Sequence, residues 1–180
     1  MLFPDSFIIN DFLMPDELLS LRDLFKTTRS EFQYGHNEDG SLSLVCRTHQ
    51  LLQETSNVPW LKIKFEASFQ NLCESLKLDK DLHQMLSFKK FFFKFYLKND
   101  YYGKHVDSSE CNLSFLYQFS SGGADTSFSD LVFEDGERIP FRSNQMIIFQ
   151  SMRPHSFSNN ESDKNQDLYK CLVQCLPEFS

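Results

Sequence analysis

"FKKFFFKFYL", residues 88–97, decides how the second half of this chain is read. Positions 91, 93, 95 and 97 are all apolar, so one face of an extended strand there belongs to a core, while Phe92, Lys94, Tyr96 and Lys98 share the other. The runs that follow have the same character. "CNLSFLYQFS" (111–120), "DLVFEDGERIPF" (130–141), "NQMIIFQ" (144–150) and "LYKCLVQCL" (168–176) are aromatic or β-branched segments broken by turn residues. Five or more short strands after a helical first half predict a sandwich or jelly roll buttressed by helices.

Upstream, "FIINDFLMPDELLSLRDLFKTTR" predicts a short strand over 7–9 and a helix from about Pro15. Asp16 and Glu17 fall in its first turn, where acidic groups favour the dipole, and Leu18, Leu21, Leu24 and Phe25 form its apolar stripe. A polar turn at Asn37 to Gly40 and a strand over 42–46 come next. A second helix fits "PWLKIKFEASFQNLCESLKL" (59–78), with Trp60, Ile63, Leu72 and Leu76 as buried candidates. The expected organisation is one domain over 1–180, with 1–87 as helical support and pocket flank and 88–177 as the β core. "SNNESDKNQD" (158–167) reads as a solvated loop.

At 180 residues, with 41% hydrophobic and 15% aromatic content, the chain is a folded globule and long enough for a real core. Its 20 phenylalanines suit a pleated core surface. A formal charge of −7 disfavours wholesale binding to a phosphate backbone. The five cysteines are scattered and form no CxxC pair, which predicts reduced thiols in a cytoplasmic protein. No signal peptide is expected from "MLFPDSFIIN", and no apolar run is long enough to span a bilayer.

The chemistry centres on "YYGKHVDSS" (101–109). Residues two apart on a strand share a face, with α-carbons about 6.6 Å apart, so His105 and Asp107 are placed to reach one cation. His155, in "SMRPHSF" (151–157), supplies a third ligand from a turn after an apolar strand. Two imidazoles and one carboxylate are the facial set that leaves open positions on a non-haem Fe(II) for a cosubstrate and O2. A keto-acid cosubstrate needs a cation for its far carboxylate, and Lys170 is the lone cation of an otherwise apolar strand. By alternation Lys170 shares a face with Leu172 and Gln174. His36, His49 and His83 read as surface or satisfied core residues.

From about Phe91 to Leu176 the arrangement resembles the 2-oxoglutarate and Fe(II)-dependent dioxygenases, in their prolyl-hydroxylase-like branch. The resemblance rests on Tyr96 ahead of "GKHVD", then "NLSFLYQFS", "SGGADTSF", "ERIPFRSNQMIIFQSMRPHSF" and "YKCLVQCL" in that order. It implies a double-stranded β-helix in which His105, Asp107 and His155 hold iron. Lys170 is implied to pair with the 2-oxoglutarate tail, Tyr96 to contact that cosubstrate, and Ser114 and Gln118 to line its pocket. Lys170 stands further beyond His155 than is usual, and Leu172 replaces a serine or threonine. Lys164 has the more ordinary spacing within polar neighbours, and Lys94 is a backup partner. The implied reaction couples decarboxylation of 2-oxoglutarate to succinate and CO2 with hydroxylation of a C–H bond. A protein side chain such as peptidyl proline is the expected substrate, with a free amino acid or small metabolite as the alternative. A non-catalytic metal-binding or scaffold jelly roll is the reading from another class.

Overall fold

The computed structural model describes residues 6–34, 46–78, 86–96, 100–107, 113–120, 130–157 and 170–179. Strand β1 (Ser6–Asn10) leads into helix α1 (Pro15–Thr27), where Pro15 opens the first turn. Met14 offers no capping oxygen. Glu17 compensates, because its carboxylate accepts the Met14 N–H at 2.8 Å. Short strands β2 (Gln33–Tyr34) and β3 (Cys46–Arg47) precede β4 (His49–Glu54) and helix α2 (Pro59–Ser75). Helix α2 buries Leu61, Phe65, Ser68, Phe69, Leu72 and Cys73, a repeat of three and four residues that keeps one face inward. Ile63 lies off that stripe and is 62% exposed, so the expectation that it is buried is corrected. Trp60 and Leu76 are partly buried against the core, and Leu72 is fully buried.

The second half supplies β5 (Leu86–Ser87), β6 (Lys90–Tyr96), β7 (Tyr101–His105) and β8 (Leu113–Ser120). Then come β9 (Leu131–Phe133), β10 (Arg138–Ile139), β11 (Gln145–Gln150), β12 (His155–Phe157), β13 (Lys170–Cys175) and β14 (Glu178–Phe179). Gly136, at φ +94°, makes the turn between β9 and β10 in a conformation that a side chain would resist. Expected strands in all five second-half runs are present. The turn at 37–40, the strand residues 42–45 and the 158–167 loop lie outside the described residues.

Among the described residues these strands form two larger antiparallel sheets. One runs β1-β11-β8-β13-β6-β4-β2 and the other β10-β9-β12-β7-β3. From β6 onward the chain alternates between them: β6, β8, β11 and β13 belong to the first, and β7, β9 with β10, and β12 to the second. The first half therefore gives the sheets four strands besides its helices.

The helices pack on the outer face of the larger sheet through phenylalanine. Phe25 stacks on Phe93 with ring centroids 5.0 Å apart and meets Phe119 edge-on at 5.1 Å, while Phe65 and Phe69 contact Phe91 and Phe115. A second cluster of Tyr96, Leu116, Leu131, Phe133, Ile147, Phe149, Phe157 and Leu172 fills the space between the sheets. Every described position of β8 and β13 is buried, since each strand has a packed layer on both sides. Asn144 ties the layers together. Its side chain accepts from the Leu13 N–H and the Tyr117 hydroxyl, both at 2.9 Å, and donates to the Leu13 carbonyl at 2.8 Å.

Candidate metal centre

His105 closes β7 and His155 opens β12, and the two are register partners across the smaller sheet. His155 thus comes from the first residue of a strand rather than from the turn before it. Asp107 lies two residues past His105, just beyond the strand end, where its N–H donates to the Ser151 carbonyl at 3.0 Å. The pairing of β7 with β12 and this one turn bond bring the three side chains together. Their ligand atoms all lie within 4.8 Å of one another. Asp107 Oδ1 is 3.4 Å from His105 Nε2 and 3.6 Å from His155 Nε2. Donors about 2.1 Å from a shared ion and at right angles would be about 3 Å apart, so small side-chain adjustments suffice.

Each imidazole is oriented by its own backbone. Nδ1–H of His105 donates to the Gly103 carbonyl at 2.8 Å, and that of His155 to the Arg153 carbonyl at 2.9 Å. This leaves both Nε2 lone pairs aimed at the space beside Asp107, as outer partners do for metal-ligating histidines. Arg153 is itself clamped. Its guanidinium lies 3.7 Å from the centroid of the Phe133 ring and pairs with Asp135 and Glu137 at 2.5 and 2.7 Å. Tyr102 braces the other imidazole, its ring edge-on to His105 with centroids 3.8 Å apart.

The protonation states suit a ligand set. Burial opposes ionisation of Asp107, but the His105 hydrogen bond, the charges of His155 and Lys94 and the Ser114 hydroxyl together hold its carboxyl at about 2. Burial pushes the His155 imidazole below its ordinary value, which keeps it neutral at pH 7. An ionised carboxylate and neutral imidazoles are the forms that coordinate. Ser114 donates to Asp107 Oδ2 at 2.5 Å, and Ser151 lies 2.9 Å from Ser114. With Ser114's proton committed to the carboxylate, Ser151 is the donor of that second bond. These residues fit a divalent cation.

The remaining expected site residues line the space between the sheets. Lys170, on β13, pairs in register with Tyr96 of β6 and Ser120 of β8. It is 1% exposed, with Nζ 3.6 Å from the Phe157 ring centroid and 5.3 Å from that of Phe141. Burial lowers its pKa well below the usual lysine range, with Asp130 acting in the opposite direction. Tyr96 faces the same interior against Phe157. Gln118 donates to Gln145 at 2.6 Å, and its own side-chain oxygen is buried with no hydrogen-bond partner among the described residues. Lys94 also turns inward. Its ammonium donates to Gln174 at 2.5 Å and lies 4.8 Å from the Tyr102 ring centroid.

Sequence reading missed Ser151, Tyr102 and the Lys94–Gln174 pair as site residues. Alternation did place Gln174 on the face of Lys170 and Lys94 on the face of Tyr96, which was the available signal. Nothing marked Ser151. His49 is a packing residue, stacked on Phe95 at 4.4 Å with its Nδ1 3.5 Å from Asp100. His36, His83 and Lys164 lie outside the described residues, and nothing is described of the Arg47 side chain.

No family model and no curated protein matches the sequence. Solved structures do match the fold. A Pseudomonas putida prolyl-4-hydroxylase is similar at 14% identity and TM-score 0.68, over 97% of this chain and 92% of that one. A Trichoplax adhaerens prolyl hydroxylase, solved with a hypoxia inducible factor oxygen degradation domain peptide fragment, matches at 13% identity and TM-score 0.68, over 97% and 84% of the two chains. The collagen prolyl hydroxylase of Paramecium Bursaria Chlorella virus-1, solved as a 2OG complex, matches at 13% identity and TM-score 0.65, with 97% of both chains covered. With its sheets, its flanking helices and its two histidines and aspartate at one end of the smaller sheet, the chain has the fold of the prolyl hydroxylases.

Proposed function

We propose that this protein is an Fe(II)- and 2-oxoglutarate-dependent dioxygenase on a double-stranded β-helix, hydroxylating a C–H bond with release of succinate and CO2. The observation that carries the reading is the convergence of two backbone-oriented imidazoles and one ionised carboxylate at the edge of an enclosed interior. The alternation of strands between the two sheets supports the jelly-roll topology.

His105, Asp107 and His155 would hold the iron, which supplies the O2 chemistry when bound. The chain's own residues do the rest. Ser114 and Ser151 fix the rotamer of Asp107, and the carbonyls of Gly103 and Arg153 fix the two rings. Lys170 supplies the cation for the cosubstrate's far carboxylate, and an anion beside it restores the charge that burial disfavours. Tyr96 faces it across the strand pair. Gln118 offers a buried acceptor to the same space. The aromatic walls formed by Phe149, Phe133 and Phe157 keep water from the chemistry.

The substrate in this reading is a protein side chain such as peptidyl proline. The prolyl-hydroxylase-like fold, and the peptide fragment bound by the Trichoplax adhaerens neighbour, support it. A free amino acid or small metabolite is the second reading, favoured by a second buried cation, Lys94, beside the same centre. A cytoplasmic setting belongs to the proposal, supported by the buried free thiols of Cys73, Cys171 and Cys175.

The test is anaerobic. Fe(II) and then 2-oxoglutarate are added to the metal-free protein and its visible absorption is recorded, with His105→Ala as the control. A weak charge-transfer band that needs both additions and vanishes in the variant is the expected result, followed by succinate on exposure to O2. Metal binding without any band would mean a metal-binding or scaffold protein instead.

A further inference from the structure

Lys94 is not explained by the role given to Lys170. Both side chains enter the interior, one from β6 and one from β13, and Lys94 is 6% exposed. It lies near enough to the triad for its charge to act on Asp107 and His155, which is not so of Lys170. Yet no carboxylate among the described residues lies within ion-pair distance of it. Its one hydrogen-bond acceptor is the side-chain oxygen of Gln174, a neutral group. An ammonium carries three donors, so two are left over here. The Gln174 amide N–H2 has no acceptor among the described residues either. Ammonium and amide thus form an array of donors with nothing to receive from it.

Charge sharpens the point. A divalent ion at the triad takes up the single negative charge of Asp107 and leaves a net positive centre beside a buried ammonium. Like charges held in an enclosed interior repel unless an anion sits between them. A cation so placed is costly without a partner and strong with one.

We infer that Lys94 and Gln174 form a carboxylate-binding subsite beside the metal triad, separate from Lys170. The inference rests on the iron and keto-acid reading above. A carboxylate could reach this subsite from two sources: the metal-proximal end of the keto acid, or the primary substrate.

The experiment uses full-length protein loaded anaerobically with Fe(II). The charge-transfer band is titrated with 2-oxoglutarate, and with pyruvate, a keto acid that lacks the far carboxylate. Acetate is then added to the preformed complex. Wild type is compared with Lys94→Met, Gln174→Leu and Lys170→Met, each checked for a native circular-dichroism spectrum, so that one misfolded variant does not decide the matter.

If the keto acid's metal-proximal end is bound, Lys94→Met weakens both keto acids by roughly tenfold or more. Lys170→Met then weakens 2-oxoglutarate alone. If the substrate's carboxylate is bound, Lys94→Met leaves both titrations unchanged and removes the band shift that acetate produces in wild type. The subsite is overturned if Lys94→Met weakens 2-oxoglutarate but not pyruvate, which would make Lys94 the far-carboxylate partner. It is equally overturned if neither titration nor acetate response changes. Should wild type show no band, the keto-acid reading fails, and calorimetry of acetate against Mn(II)-loaded protein decides the subsite separately. Heat in wild type that Lys94→Met abolishes keeps the subsite, and no heat in wild type removes it.

Discussion

The two faces of the larger sheet are both buried, but they are made of different material. Towards the helices β6 turns Phe91, Phe93 and Phe95, β8 turns Phe115, Tyr117 and Phe119, and β13 turns Cys171, Val173 and Cys175. Towards the smaller sheet the same strands turn Lys94 and Tyr96, then Ser114, Leu116, Gln118 and Ser120, then Lys170, Leu172 and Gln174. One face is close-packed aromatic core. The other encloses amines, amides and hydroxyls, which protein interiors admit only when those groups have partners or work to do. Stability therefore resides mainly on the helix-backed face and chemistry on the inter-sheet face, one residue apart along each strand.

Substitutions should separate the two faces. The largest effect is expected from Phe115→Ala. Its ring meets Phe65, Phe69 and Phe88, so truncation leaves a cavity in the aromatic layer and costs about 3–5 kcal/mol. Chemical denaturation measures the loss, and Mn(II) stoichiometry of the remaining folded protein should be unchanged. Loss of metal stoichiometry in step with stability would mean that the two faces are not separable.

A smaller effect concerns pH. Asp107 titrates at about 2 in the folded protein against an ordinary 3.8, so the folded state favours its ionised form. That contribution is complete above pH 4 and is lost as pH falls from about 4 to about 2. It amounts to something on the order of 2 kcal/mol in metal-free protein. Denaturation of metal-free wild type and Asp107→Asn across this window should show the variant with the flatter profile. Parallel profiles would place the acid sensitivity elsewhere.

The smallest change in stability is expected from Lys170→Met. The ammonium loses hydration on burial, and methionine fills a similar volume, so the keto-acid-free protein should change by less than about 1 kcal/mol or become more stable. Thermal melts with and without 2-oxoglutarate check this, because only wild type should gain stability from the ligand. A large loss in the ligand-free variant would mark Lys170 as structural.

Much of this comparison was legible in residue order. The odd–even alternation of 91–96 and 170–175 gave both faces, since side chains on an extended strand alternate whatever the strand packs against. Asp16, Glu17 and the Leu21–Phe25 stripe gave the first helix. Other features were not legible. Ile63 looks like a core residue by type, but the angular position of the helix on the sheet leaves it outside. "HQLLQE" (49–54) carries two polar ends and was not read as a strand, because its pairing with β6 rather than its composition makes it one.

The sequence by itself determined the ligand types, the closeness of His105 to Asp107, and which side chains of each strand lie together. These depend on local geometry, fixed within a few residues by the pleat. Only the tertiary structure decided that His155 meets His105 in register, that Ser151 braces Asp107 through Ser114, and that Lys94 rather than Lys170 borders the triad. Those relations depend on the pairing of strands far apart in the chain. Pairing is set by the packing of both faces at once, which no short window of residues contains.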